Sequence, residues 1–450
     1  MARGTVRIPV TLLSLCLLVA GRPVAAEESS VLDRYLDLSA TMQNVLLWKT
    51  DSDFDGTAPE YDEHGQSAGL IGTFFKPGLT LHATDRFTLY YELELGLNLW
   101  SQHDPAQDMA GRNDAFIIRH RELWAGGRFY DPDLDFKVGY QYLRDPTGLL
   151  IGHWIGAVDL GIAFGETRLS LIAGQVPDQT YEGIEISRNN FVHDVFAGGL
   201  RADHTAGDDL ARYHLSAGFY ALYDGSDVRQ ERKVFGPTAR FEVEFEDFML
   251  GIDAMLQFGS LQRHGLGDQD AQHLAWAAQA EAVLDLDPLR FEAHLLALSP
   301  DDEHDHNDAN NALLYSGKAR SRTIILTEDE IRDLGGNLDE RLGERLGSFY
   351  LLRGGLIVAD LYAALDLDAF VPAVILGAGW MSRPENSMGH SFVGFEADLD
   401  IGLRYEELLD FHMIAGVLVP GGAAGASINY IDPDATDVMT QIEVSLSLHF

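Results

Sequence analysis

The stretch Phe87 to Trp100, FTLYYELELGLNLW, constrains the fold more than any other part of the chain. Leu89, Tyr91, Leu93, Leu95, Leu97 and Leu99 share one face of a period-two repeat. Thr88, Tyr90, Glu92, Glu94 and Asn98 share the other, so the stretch reads as a strand with one apolar and one polar face. The pattern recurs. Arg240, Glu242 and Glu244 alternate with Ala239, Phe241, Val243 and Phe245. Arg290, Glu292 and His294 alternate with Phe291, Ala293 and Leu295. Glu396, Asp398, Asp400 and Arg404 alternate with Phe395, Ala397, Leu399, Ile401 and Leu403. A soluble sheet buries its apolar face in a core. Repeated charges opposite a smooth apolar face suit the inverse arrangement, with lipid on the apolar side and water on the polar side.

The connections alternate as well. Short turns fall at 83–86, 165–166, 247, 287–288 and 366–367. Longer polar stretches fall near 49–66, 101–112, 177–190, 224–232, 260–272, 300–346, 382–390 and 420–436. The expectation is an all-β fold: a transmembrane antiparallel β-barrel of about eighteen strands, with short periplasmic turns and long extracellular loops, in the outer membrane of a Gram-negative bacterium. Its partners would be outer-membrane lipid and lipopolysaccharide. The closing alternation from Thr440 to Phe450 looks like the signal read by outer-membrane assembly machinery. One segment resists. Arg119, His120, Arg121 and Glu122 are consecutive, which puts charge on both faces; a bulge or a place near the head groups would account for it.

The ends agree with an envelope address. Arg3 and Arg7 precede an apolar run from Val10 to Ala20, and Val24-Ala25-Ala26 offers a cleavage site, so residues 1–26 read as a signal peptide and 27–450 as the barrel. Removing the three arginines of that leader takes the formal charge from −38 to −41. Such an acidic chain is not a nucleic-acid binder. The single cysteine, Cys16, lies in the leader, so a disulfide framework is excluded. No apolar run is long enough for a membrane helix.

Residues Phe136 to Gln175, FKVGYQYLRDPTGLLIGHWIGAVDLGIAFGETRLSLIAGQ, resemble the alginate export porin family, as do Arg121-Glu122-Leu123-Trp124, Gly317-Lys318-Ala319-Arg320-Ser321-Arg322 and the ending Ser445 to Phe450. The resemblance implies an eighteen-stranded outer-membrane barrel that passively exports an acidic polysaccharide past an arginine-rich constriction, together with a polysaccharide synthesis and export complex as partner. Guanidinium pairs with uronate in bidentate fashion and stays charged. The cationic candidates are Lys137, Arg144, Arg240, Arg290, Arg353 and Arg404, with Asp145 in the same loop as Arg144. Acids crowd the same polar faces, Glu242, Glu244, Glu292, Glu396 and Asp398 among them. An acidic lumen favours cations, so a general cation-preferring porin is the alternative function.

A second alternative is a barrel that anchors calcium-binding surface loops. Asp51, Asp53 and Asp55 precede Gly56, and Asp62 stands where a calcium loop supplies its last ligand, so this first extracellular loop is a candidate Ca2+ site. The stretch 300–346 opens with an Asp/His cluster at 301–306 and contains a capping-box pattern for a short helix near 328–334. Two readings of it stay open, a gate over or into the pore and a surface loop. No nucleophile elbow, zinc-protease or phosphate-loop motif occurs, and the expectation is that the chain is not an enzyme.

Overall fold

The structure, a computed structural model, describes residues 35–50, 67–102, 116–130, 132–176, 195–208, 210–227, 230–263, 269–300, 309–310, 319–327, 355–428, 434 and 436–450. The leader, the aspartates at 51, 53, 55 and 62, the cluster at 301–306, the 328–334 stretch and Arg353 lie outside these residues.

Eighteen long strands form one antiparallel sheet that closes on itself. In chain order they are β1 (36–50), β2 (67–84), β3 (87–102), β4 (116–130), β5 (133–144), β6 (152–164), β7 (167–176), β8 (195–207), β9 (212–227), β10 (230–244), β11 (248–263), β12 (269–286), β13 (289–298), β14 (356–365), β15 (370–381), β16 (392–405), β17 (409–420) and β18 (439–449). Each pairs with its sequence neighbour, and β18 returns to β1 from Thr41↔His449 to Thr50↔Thr440. Ala40 and Phe450 exchange backbone hydrogen bonds of 2.8 and 3.1 Å, which fastens the last residue to the first strand. A short helix, α1 (422–428), sits between β17 and β18.

The two faces are those of a lipid-embedded barrel. On β11, Ile252, Leu256 and Phe258 are 50%, 42% and 40% exposed, whereas Asp253, Met255 and Gln257 between them are at most 4% exposed. Large exposed apolar side chains recur around the outside of the wall, and only an apolar solvent makes that arrangement stable. Tight turns such as 85–86, 165–166, 287–288 and 406–408 join the strands at one end.

The charge run on β4 is a bulge. Glu92 pairs with Glu122 and Leu93 with His120, leaving Arg121 as the extra residue. Arg121 then reaches Glu94 at 2.8 Å and Glu92 at 3.2 Å, while His120 contacts the exposed Tyr91 hydroxyl at 3.0 Å. The extra residue absorbs one step of the alternation. Most of the loop expected at 224–232 is strand: β9 runs to 227 and β10 starts at 230, with Asp224 paired to Arg232. Beyond the membrane a strand needs no apolar face, so polarity there was no sign of a loop.

Leu256→Arg, a charge introduced on the lipid face near the middle of β11, should cost about 2–4 kcal/mol. Equilibrium unfolding in lipid vesicles measures it, and an unchanged midpoint would show that this face does not meet lipid.

Candidate functional site

Two stretches leave the wall at the loop end and turn into the lumen. The first, 145–151, joins β5 to β6. Asp145 is 2% exposed and folds the stretch on itself. Its carboxylate accepts the Thr147 N–H at 2.9 Å, the Thr147 hydroxyl at 2.6 Å and the Ile151 N–H at 2.9 Å. Gly148 has φ +71°, and the Arg144 guanidinium fills the place where a Cβ would stand. The second stretch is 319–327. Its Ile324 and Ile325 amides donate to one oxygen of Glu396 at 2.8 Å each, and its Leu326 amide donates to the other at 2.7 Å.

One side chain ties the stretches together. Gln279 on β12, 3% exposed, donates to the Thr147 carbonyl at 2.9 Å and accepts the Arg320 N–H at 3.1 Å. β5 and β12 stand on opposite parts of the wall, so 145–151 crosses the lumen to reach this amide. The second stretch continues to Glu396 on β16 and to Gln441 on β18, whose amide donates to the Ile324 carbonyl at 3.3 Å.

An apolar cluster lies inside the barrel at this level. Leu149, Leu150 and Ile151 from one stretch and Ile324, Ile325 and Leu326 from the other meet inward-facing Leu296, Leu298, Val358 and Ile375. Burial of each such side chain contributes roughly 1.5–3 kcal/mol, against about 0–1 for a half-exposed ion pair. Apolar burial and the Glu396 and Gln279 hydrogen bonds therefore hold the stretches in place, more than the arginine pairs do.

A row of paired charges lies beside the meeting of the stretches, mostly buried, with Arg290 and Arg322 its most exposed members. Arg240 bonds Asp253 at 3.2 Å and also pairs with Glu242 and Glu281. Arg320 reaches Asp253 at 2.7 Å and Glu281 at 3.6 Å. Arg322 and Arg290, both 44% exposed at the side chain, share Glu292 at 2.9 and 2.8 Å. His294 lies between Asp360 at 2.8 Å and Glu292 at 3.5 Å. Here five carboxylates (Glu242, Asp253, Glu281, Glu292, Asp360) face four guanidiniums (Arg240, Arg290, Arg320, Arg322). Further along the same side of the wall, Glu396, Asp398, Asp400 and Glu443 share the inner face of β16 and β18, with His412 on Asp400 at 2.6 Å.

The residues singled out from sequence spread along the lumen. Arg240, Glu242, Arg290 and Glu292 belong to the paired charge row. Lys137 lies apart, 4.3 Å over the Trp124 ring and 3.9 Å from Glu122. Asp145 is a buried turn residue, and Glu396 is fully buried under the second stretch. Glu244 is exposed beside the turn at 245–247, and Arg404, its side chain 77% exposed, pairs with Asp410 at 3.3 Å at the turn end. Arg320, Arg322 and Gln279 were not among those candidates. A signal for them existed: Leu149-Leu150-Ile151, Ile324-Ile325-Leu326 and Leu295 to Leu298 are apolar at consecutive positions, so neither face is left for lumen water.

No protein-family model matches the sequence, and no curated protein does. Solved structures do match. OccK9 (OpdG) of Pseudomonas aeruginosa aligns over 92% of this chain and 98% of its own, with a TM-score of 0.57 and 14% identity. A BenF-like porin from Pseudomonas fluorescens Pf-5 covers 92% and 99%, at 0.56 and 10%. Pseudomonas aeruginosa OpdO covers 93% and 97%, at 0.53 and 11%. The barrel shares their fold. That corrects the resemblance to alginate exporters: the barrels matched along nine-tenths of the chain are of another kind. The motifs behind the resemblance have local structural causes. Arg121 fills a bulge, Asp145 closes an inward turn, Arg320 and Arg322 are met by carboxylates of the wall, and 445–449 lies in the strand that closes the barrel. The polysaccharide cargo and its synthesis partner rested on that resemblance and lose their support with it.

Gln279→Ala would strip partners from the buried Thr147 carbonyl and Arg320 amide at once. Each such loss costs about 1–3 kcal/mol where water does not replace the partner. The expected result is a barrel that still folds, with a lower unfolding midpoint and noisier single-channel currents; steady currents and an unchanged midpoint would refute the tie.

Proposed function

We propose that this chain is a passive outer-membrane diffusion channel for small polar solutes, with a preference for cations. The observation that carries the reading is the charge row beside the meeting of the two inward stretches, where carboxylates outnumber guanidiniums and each guanidinium meets an acid. A paired arginine attracts a solute anion weakly, because its field is already met by a neighbour. The inward stretches favour small solutes over a polymer, since one crosses the lumen from β5 to β12 and the other takes up space along the inner wall from β12 to β18. The matched folds include a protein described as a porin, which agrees with a conducting barrel.

The test is the reversal potential of the refolded barrel in a planar bilayer under a potassium chloride gradient. A cation-to-anion permeability ratio above unity is expected. Replacing Arg320 and Arg322 together by glutamine should raise it severalfold, because Asp253 and Glu292 lose countercharge. Uronate oligomers should leave the current unblocked. An anion preference in the unmodified protein would overturn the reading.

A further inference from the structure

Segment 319–327 differs from everything else on the inner wall in how it is held. No residue in it joins the sheet ladder. Side chains of the wall reach in and grip its backbone: Gln279 at Arg320, Asp360 at the Arg322 amide (3.4 Å), Glu396 at three successive amides, and Gln441 at the Ile324 carbonyl. Within the segment, the Thr327 hydroxyl donates to the Thr323 carbonyl at 2.7 Å and Ser321 meets Thr323 at 2.9 Å, so it is a compact unit. The barrel's hydrogen-bond ladder would survive its departure intact.

Glu396 is the strongest of these grips. Three consecutive N–H groups converging on one carboxylate form an anion cradle. Glu396 is fully buried, and among the described residues no lysine, arginine or histidine reaches it, so these amides are its compensation. The wall is shaped for the segment. Gly416 leaves room for Ile324, which a Cβ there would meet at 2.9 Å, and the Thr323 methyl occupies the place of a Gly377 Cβ.

We propose that segment 319–327 is a strap latched along the inner wall by Glu396, and that this latch sets the conductance of the channel and the position of Arg320 and Arg322 along its path. The proposal rests on the channel reading above. Glu396 acts here as a positioning residue: it touches the strap, and the strap carries the two arginines. Released, the strap would take both guanidiniums away from Asp253 and Glu292 and widen the path.

The experiment compares single-channel conductance and reversal potential of the full-length barrel with Glu396→Gln and Glu396→Ala. Glutamine keeps one acceptor oxygen but turns an NH2 group toward an amide that needs an acceptor, so its effect should be intermediate. Alanine should raise conductance by at least about twofold, as expected when a constriction is relieved, and should increase cation preference. A second construction makes the test independent of folding damage. The barrel has no cysteine of its own after Cys16, and Thr323→Cys with Gly377→Cys brings two Cβ atoms within disulfide reach. In the Glu396→Ala background, oxidation should restore the unmodified conductance and reduction should raise it again.

Conductance that is the same for the parent and both variants, whether the cross-link is oxidised or reduced, would overturn the latch and leave the channel reading standing. Failure of both variants to assemble would make Glu396 a folding residue and overturn the latch equally. An unmodified barrel that does not conduct would instead overturn the channel reading.

Discussion

Everything in this structure depends on one requirement: in lipid, a backbone N–H or carbonyl has no water to turn to. A sheet meets it only by closing. The β1–β18 seam is where the requirement is satisfied last, through ten consecutive residue pairs and the Ala40–Phe450 backbone bonds. Once the seam closes, every strand has a fixed inside and outside, and a side chain's parity decides which solvent it meets. The bulge at Arg121 shows how strict this is. A charged run that breaks parity is accommodated by one extra residue, after which Leu123 again faces out at 52% exposure.

Closure also creates an interior that cannot be filled by the wall alone. An inner face that meets water must be polar, and a polar face has little to offer an inward loop. The structure resolves this where the two inward stretches meet: Leu296, Leu298, Val358 and Ile375 make the inner face locally apolar, and each stretch brings its own three apolar residues to meet it. Single buried polar groups then set position. Gln279 and Glu396 grip backbone rather than side chains, so they hold the stretches without consuming the side chains that line the path. Apolar burial supplies most of the retention, and the hydrogen bonds fix the register in which Arg320 and Arg322 are presented.

Much of this was legible in the residues, and the limits have physical causes. Period-two alternation marks the strands and their lipid faces, as in Leu89 to Leu99, because parity is a local property. Tight turns at 165–166 and 287–288 are local too. Polarity at 224–232 misleads because strands extend beyond the membrane, where apolar faces have no use. The interior was harder to read. Asp145 looks like a solute-facing acid, yet its bonds to Thr147 and Ile151 make it a turn residue, and that follows only from the fold bringing those groups to it. The Arg240 pairing with Asp253 and Glu281 joins three strands, and no spacing in the chain announces it. Short motifs such as Arg121 to Trp124 suggested a family they do not share, because bulges, turns and closing strands leave similar residues in barrels of different kinds.

Counting charges on polar faces is a poor guide to what a solute would feel, and this lumen shows why. In the row from β10 to β14 each guanidinium meets a carboxylate at close range, and Arg290 and Arg322 divide a single Glu292 between them. On β16, Glu396 spends its charge on three buried amides and shows the lumen nothing. What a permeating ion meets is the remainder after these internal partnerships, set by whichever groups the straps leave exposed. Selectivity is therefore a property of strap position as much as of composition, and the same inward-facing residues would define a different channel if the strap lay elsewhere, as pore-lining charges act on an ion only where they are presented to it.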